Sequence, residues 1–175
     1  YATQRQGHTI YPGGVREELH PEIGWKKFSR RMMYMQRNAQ WGLRYICDPS
    51  DPPSGYLYTN DGGTNVIVYV IDSGVDAPHP ELKGWVVIGP DLVNGDSDSN
   101  DDNGHGTHVA GILSARVNNK TGIAGVSRAK IFAVKVLDAT GSGTHWDVAQ
   151  GIRKAADRSS VRVINVSLGG EDSTI

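Results

Sequence analysis

The sequence predicts an α/β domain in which a parallel sheet is flanked by helices. Three observations carry this expectation. Residues 66–71 form an unbroken apolar run, Val-Ile-Val-Tyr-Val-Ile, as a strand covered on both faces requires. Two further strand-like runs follow at 130–137 and 161–168. Helical patterns at 104–116 and 144–158 separate them, and strand–helix–strand successions with crossovers of that length give parallel strands and right-handed connections.

Each element has a local reason. Residues 85–88 (Trp-Val-Val-Ile) read as a second, shorter strand. The segment 104–116 places Val109, Ile112 and Leu113 toward the interior of a helix. Thr144 followed by Asp147 forms a capping box, opening a helix with Val148, Ile152 and Ala155 on one face. Nearer the start, 1–24 is rich in Gly, Pro, His and charge and reads as irregular chain. From 25 to 40, Lys, Arg, Met and Gln favour a helix, with Phe28, Met32, Met35 and Ala39 at helical spacing. Its expected role is packing against a neighbour, not a membrane or a partner groove. The prolines of 47–55 mark a loop.

Composition narrows the function classes. With 175 residues and 38% hydrophobic content, the chain can bury one real core. A net charge of −1 gives no overall field for nucleic acid or membrane surfaces, although 1–46 is basic and 91–102 holds five aspartates without a base. No apolar run reaches the length of a membrane span. Cys47 is the sole cysteine, so no disulfide forms within the chain. The opening Tyr1-Ala2-Thr3-Gln4-Arg5 lacks both an initiator Met and an apolar stretch, so the expectation is a processed or excised product.

The chemistry-bearing residues sit at element ends. Asp72 is the first polar residue after the 66–71 run, where sites collect in parallel sheets, and Ser73-Gly74 after it permits a sharp turn. From that segment alone Asp72 serves equally as a turn-forming strand cap or as a carboxylate for an imidazole. His105, flanked by Gly104 and Gly106, opens a helix, where the dipole disfavours a charged imidazole and a carboxylate partner gives a reason for its presence. Asp72 holding one ring nitrogen, with the other left to take a proton, is the orienter–base half of a hydroxyl-activating triad. His108, three residues on, raises metal ligation as the rival, but zinc-protease spacing needs i, i+4 with an intervening Glu. His108 reads as a packed or hydrogen-bonded helix residue.

Asp72-Ser73-Gly74-Val75-Asp76 and His105-Gly106-Thr107-His108-Val109-Ala110-Gly111 resemble the Asp and His signatures of the subtilisin-like serine proteases, the subtilases. Lys135-Val136-Leu137-Asp138 with Gly141-Ser142-Gly143 resembles the family's substrate-binding edge, and 164–170 (Ile-Asn-Val-Ser-Leu-Gly-Gly) the opposite side of its cleft. Gln40-Trp41-Gly42-Leu43 resembles the start of the mature domain in proteinase K-like members. The matches cover 40–175 in order. The resemblance implies a serine endopeptidase in which Asp72 orients His105, and His105 acts as general base and then general acid. It implies that Gly141, Ser142 and Gly143 on one side, and Ser167, Leu168 and Gly169 on the other, bind an extended peptide by strand addition.

The family's Ser-bearing segment and its oxyanion Asn belong beyond Ile175, and no Gly-Thr-Ser-Met-Ala-type segment occurs here. The expectation is therefore the N-terminal part of a catalytic domain, 40–175, incomplete at its C-terminus and inactive by itself. A truncated or non-catalytic peptide-binding member is the alternative. Residues 1–39 are expected to be an N-terminal extension or a propeptide remnant. Expected partners are a peptide or protein substrate, a propeptide or inhibitor, and the missing C-terminal part, with no nucleic acid and no membrane. No cofactor is expected for catalysis. Structural calcium is compatible with family habit, with Glu81 the nearest candidate by alignment, although a solvated acidic loop at 91–102 is the favoured reading. The expected location is secreted or vacuolar/lysosomal. Asn119-Lys120-Thr121 is a glycosylation sequon in an expected surface turn.

Overall fold

The computed structural model describes residues 3–5, 8–11, 33–47, 55–59, 61–158 and 163–170. Its contacts divide the chain into two compact units, Tyr1–Gly62 with Val117–Lys120, and Gly63–Arg116 with Thr121–Ile175. The first holds β1 (Thr3–Arg5), β2 (His8–Tyr11), β3 (Met33–Arg37), α1 (Trp41–Cys47) and β4 (Gly55–Thr59). Its four strands form an antiparallel sheet in chain order.

The helix expected over 25–40 is corrected here. Residues 33–37 are a strand, and 25–32 lie outside the described residues. Pairing overrides the helical propensity of Met, Gln and Arg. Every residue of β3 has a partner on β4, from Met33↔Thr59 to Arg37↔Gly55. The opposed Tyr34 and Tyr58 stack their rings at 5.8 Å. Asn118, in the left-handed region at φ 55°, sends its amide to the Tyr58 hydroxyl (2.7 Å) and the Met35 carbonyl (3.3 Å). β1 and β2 likewise replace part of the irregular chain expected over 1–24.

The second unit has the expected parallel α/β architecture. It comprises β5 (Ile67–Asp72), β6 (Val86–Asp91), α2 (His105–Ser114), β7 (Lys130–Lys135), α3 (His145–Ala156) and β8 (Val163–Val166). The sheet order is β6-β7-β5-β8, all parallel, with β5 and β7 inside. Alternate residues of β5 and β7 feed two cores. Val68, Val70, Ile131 and Ala133 pack on the α2 side with Ala110, while Tyr69, Ile71 and Val134 pack on the α3 side with Ala155. That two-sided burial is why these runs carry no polar alternation.

Both helices lie closer to the sheet than their large residues allow. On α2 the buried positions are Gly106, Ala110 and Ser114, with Val109 and Leu113 flanking the core, and Ile112 is exposed, contrary to expectation. On α3 the buried positions are Gly151 and Ala155. A Cβ at Gly151 would already stand 3.0 Å from Val136 and 3.1 Å from Ile71. Val148 packs on the core, whereas Ile152 is displaced to a partly exposed rim. Thr144 caps α3 as expected, accepting from the Asp147 N–H at 3.1 Å.

Ile71 is fully buried in the central strand, one residue before Asp72. Ile71→Ala is expected to lower stability by about 2–5 kcal/mol through lost burial and a residual cavity. The check is a lower urea midpoint at unchanged m.

Candidate active site

β5 delivers Asp72 to the carboxyl edge of the sheet, and the first turn of α2 delivers His105 to the same place. His105 Nδ1 and Asp72 Oδ1 are 2.8 Å apart. The carboxylate is fully buried while the imidazole remains 48% exposed. With Nδ1–H donating to Asp72, the ring is fixed in the tautomer that leaves a lone pair on Nε2. Among the described residues Nε2 has no hydrogen-bond partner. Asp72 Oδ1 also accepts from the Ser73 N–H at 2.7 Å, whereas Oδ2 is buried without a partner among the described residues. A strand-capping role accounts for the Ser73 contact alone. It does not account for the imidazole or for a buried, unpartnered oxygen, which costs free energy.

The helix start is fully accounted for in hydrogen bonds, and its partners are the site's own residues. The first N–H groups of a helix have no intrahelical acceptor. Here His105 N–H goes to Asn103 Oδ1 (3.2 Å), Gly106 N–H to Ser73 Oγ (3.0 Å), and Thr107 N–H to Asp101 Oδ2 (2.9 Å). Gly104 adopts φ 105°, a left-handed conformation suited to glycine, and turns the chain into the helix. A Cβ at Gly106 would stand 2.0 Å from the Gly74 carbonyl oxygen, so only glycine lets α2 touch the end of β5.

Charged residues that the sequence places in a strand and an acidic loop support this junction. Lys135, opposite Asp72 in the β5–β7 register, is buried. Its ammonium donates to Ser73 O (2.9 Å), Leu137 O (2.6 Å) and Asp102 Oδ1 (2.6 Å), which uses all three protons. Its signal was a Lys inside an otherwise apolar strand. Asp101 accepts from the Ser73 hydroxyl at 2.8 Å, from the Asn103 and Gly104 N–H groups, and from Thr107. Burial works against its charged form, but the Gly104 N–H, the Thr107 hydroxyl and N–H, and the Asn103 N–H outweigh it and hold its pKa below the ordinary aspartate value.

The residues expected to bind peptide gather separately, except Ser167. A cavity of about 450 Å³ is lined by Gly141, Ser142, Gly143, Leu168 and Gly169, together with His145, Val148 and Ile152. Ser167 is not among its lining residues and donates its hydroxyl to Asn165. Asp138 shapes the 138–142 turn: the Thr140 hydroxyl, then the Ser142 and Thr140 N–H groups, lower its pKa. Gly143 lies against the sheet edge, where a Cβ would be 2.1 Å from the Val136 carbonyl oxygen. Asn103 Nδ2 donates to Ala139 O at 3.1 Å, joining this turn to the His105 loop.

No three His, Cys, Asp or Glu side chains among the described residues converge as a metal site. Glu81 is buried and accepts from the Thr121 hydroxyl at 2.6 Å. His108 lies on α2 with its backbone N–H bonded to Gly104 O. Within 91–102, Asp91 is buried and caps its own turn through Val93 and Asn94, while Asp96 and Asp98 are exposed. No described helix is long and apolar enough to cross a membrane.

Because the folded pKa of Asp101 is lowered, its contribution to stability is present above the unfolded aspartate value and is lost as pH falls through the folded one. Stability is therefore expected to decline below about pH 4. Asp101→Asn should flatten that acid limb in urea midpoints measured between about pH 5 and 2; parallel limbs in the two proteins would contradict it.

The model of the subtilase family matches residues 63–174. Thermitase of Thermoactinomyces vulgaris is 51% identical over 109 residues, 62% of this chain and 39% of that protein. A thermophilic serine proteinase of Bacillus sp. (strain AK1) is 52% identical over 142 residues, 75% of this chain and 35% of that protein. A solved cold-adapted subtilisin-like serine proteinase superposes with a TM-score of 0.65 at 41% identity, covering 78% of this chain and 48% of its own. The chain thus spans under two-fifths of the length of these two curated relatives. With the Asp72–His105 couple at the carboxyl edge of a parallel sheet and the family model matched across most of the chain, this protein belongs to the subtilase family of serine proteases.

Proposed function

We propose that the protein is a serine endopeptidase in which Asp72 and His105 activate a serine hydroxyl supplied from outside residues 1–175. The observation that carries this reading is the 2.8 Å contact between a buried carboxylate and a half-exposed imidazole. As the serine oxygen attacks the scissile carbonyl carbon, His105 Nε2 takes its proton, and Asp72 stabilises the resulting imidazolium. The tetrahedral adduct collapses as Nε2–H passes its proton to the departing amine, leaving an acyl-enzyme. Water then reverses the sequence: His105 removes its proton, the ester bond breaks, and the serine recovers its hydrogen. The isolated 175-residue piece, lacking the nucleophile, is expected to be inactive.

The substrate is an extended peptide laid beside 141–143, with 167–169 on its other side. Ser142 is already committed to the turn, its C=O accepting from Asp138 N–H and its N–H donating to the Asp138 side chain. The N–H and C=O of Gly143 have no partner among the described residues, which supports their use in strand addition. The cavity between Leu137, Val148, Ile152 and Leu168 suits an apolar side chain of that peptide.

In the full-length protein, His105→Ala is expected to reduce kcat for a peptide amide by about 10⁶-fold, a scale taken over from subtilisin. Asp72→Asn should cost about 10⁴-fold, the loss known when the orienting Asp of chymotrypsin-type enzymes is replaced. Steady-state kinetics check both. A full-length wild type that binds peptides but hydrolyses none would favour a non-catalytic, peptide-binding member instead.

A further inference from the structure

The Asp72–His105 contact joins residues 33 apart in sequence through one hydrogen bond between flexible side chains. Something must fix the end of β5 against the start of α2 to within a few tenths of an ångström. One side chain touches both. Asp101 Oδ1 accepts from the hydroxyl of Ser73, the neighbour of Asp72, at 2.8 Å, and from the N–H of Gly104, the neighbour of His105, at 2.9 Å. Asp101 Oδ2 binds the N–H and hydroxyl of Thr107, one turn into the helix. Ser73 is held at its other atoms as well: its N–H by Asp72, its carbonyl by Lys135, and its Oγ by Gly106 N–H. Its hydroxyl proton is the contact that reaches Asp101.

We infer that Asp101 is a positioning residue whose carboxylate, bridging Ser73 and the first turn of α2, sets the Asp72–His105 geometry. A helix cap would need only the Gly104 and Thr107 contacts. The additional grip on a buried hydroxyl beside Asp72 couples the two elements, alongside the direct Gly106 N–H to Ser73 Oγ bond. The inference rests on reading Asp72 and His105 as orienter and base, and it adds a third residue that never meets substrate. Its side chain is part of the enzyme's framework for the proton transfer, so its loss should appear in kcat and leave peptide binding in place.

The test uses the full-length protein with Asp101→Ala, Asp101→Asn, Ser73→Ala and the Asp101→Ala/Ser73→Ala double variant. Asp101→Ala should lower kcat by about 10–100-fold, as misplacement of reacting groups does, with KM within about threefold. The downfield proton NMR resonance of His105 Nδ1–H should broaden or vanish in parallel. Ser73→Ala, which keeps the Asp101 contacts to the helix and the charge but also frees the Gly106 N–H, should show the same pattern, and the loss in the double variant should be smaller than the product of the two single losses. If Asp101→Ala does not fold, Ser73→Ala and Asp101→Asn carry the same comparison. Wild-type kcat and an intact resonance in Ser73→Ala would overturn the bridge, as would a change confined to melting temperature. If Asp72→Asn and His105→Ala leave hydrolysis untouched, the reading of the couple itself fails. If they abolish it while the Asp101 and Ser73 variants behave as wild type, only the positioning role fails.

Discussion

A side chain of any size at position 106 would push α2 away from the end of β5, because a Cβ there would lie 2.0 Å from the Gly74 carbonyl oxygen. That contact is the constraint on which the site depends. It lets a helix begin against the turn that follows Asp72, so that a residue one position earlier, His105, meets a fully buried carboxylate. Glycine's lack of a Cβ is thus spent on approach, while Gly104 supplies the positive φ that starts the helix. The rest of α2 follows the same logic, with alanine and serine at the next two buried positions of its inner face.

Bringing a helix start into a buried polar corner creates orphan donors, and the site answers them with its own side chains. Asn103, Ser73 and Asp101 take the N–H groups of residues 105, 106 and 107. Lys135 satisfies the Ser73 and Leu137 carbonyls and pairs with Asp102. Removing Asp102 would leave the buried Lys135 ammonium poorly compensated, whereas Asp102 itself is half exposed and solvated. The network joins the end of β5 to the start of α2 through several hydrogen bonds at once. It holds an imidazole in one tautomer and one orientation, which is what proton transfer needs.

Much of this was legible in the sequence, for identifiable reasons. β5 and β7 announce themselves because two-sided burial forces apolar continuity. Asp72 stands out as the polar end of an apolar run before Ser-Gly, His105 as a helix start between two glycines, and the Thr144 cap is written in four residues. Less was legible where long-range pairing decides. Nothing local in Met33–Arg37 signals a strand, since its partner β4 begins 18 positions after it ends. Ile112 and Ile152 misled because helical spacing identifies an apolar stripe but not how near the sheet lies. The small residues at 106, 110 and 151 marked the true faces. Asp101 and Lys135 resembled a solvated acidic loop and a strand residue, because their roles exist only once three elements meet.

Activation of a serine by Asp72 and His105 can be read by covalent labelling, independently of substrate choice. The full-length protein should react with a fluorophosphonate probe, gaining one adduct by intact mass, and His105→Ala should slow that reaction by several orders of magnitude at unchanged fold. Equal labelling rates in wild type and His105→Ala, or no adduct on the folded wild type, would show that the Asp72–His105 couple does not activate a serine.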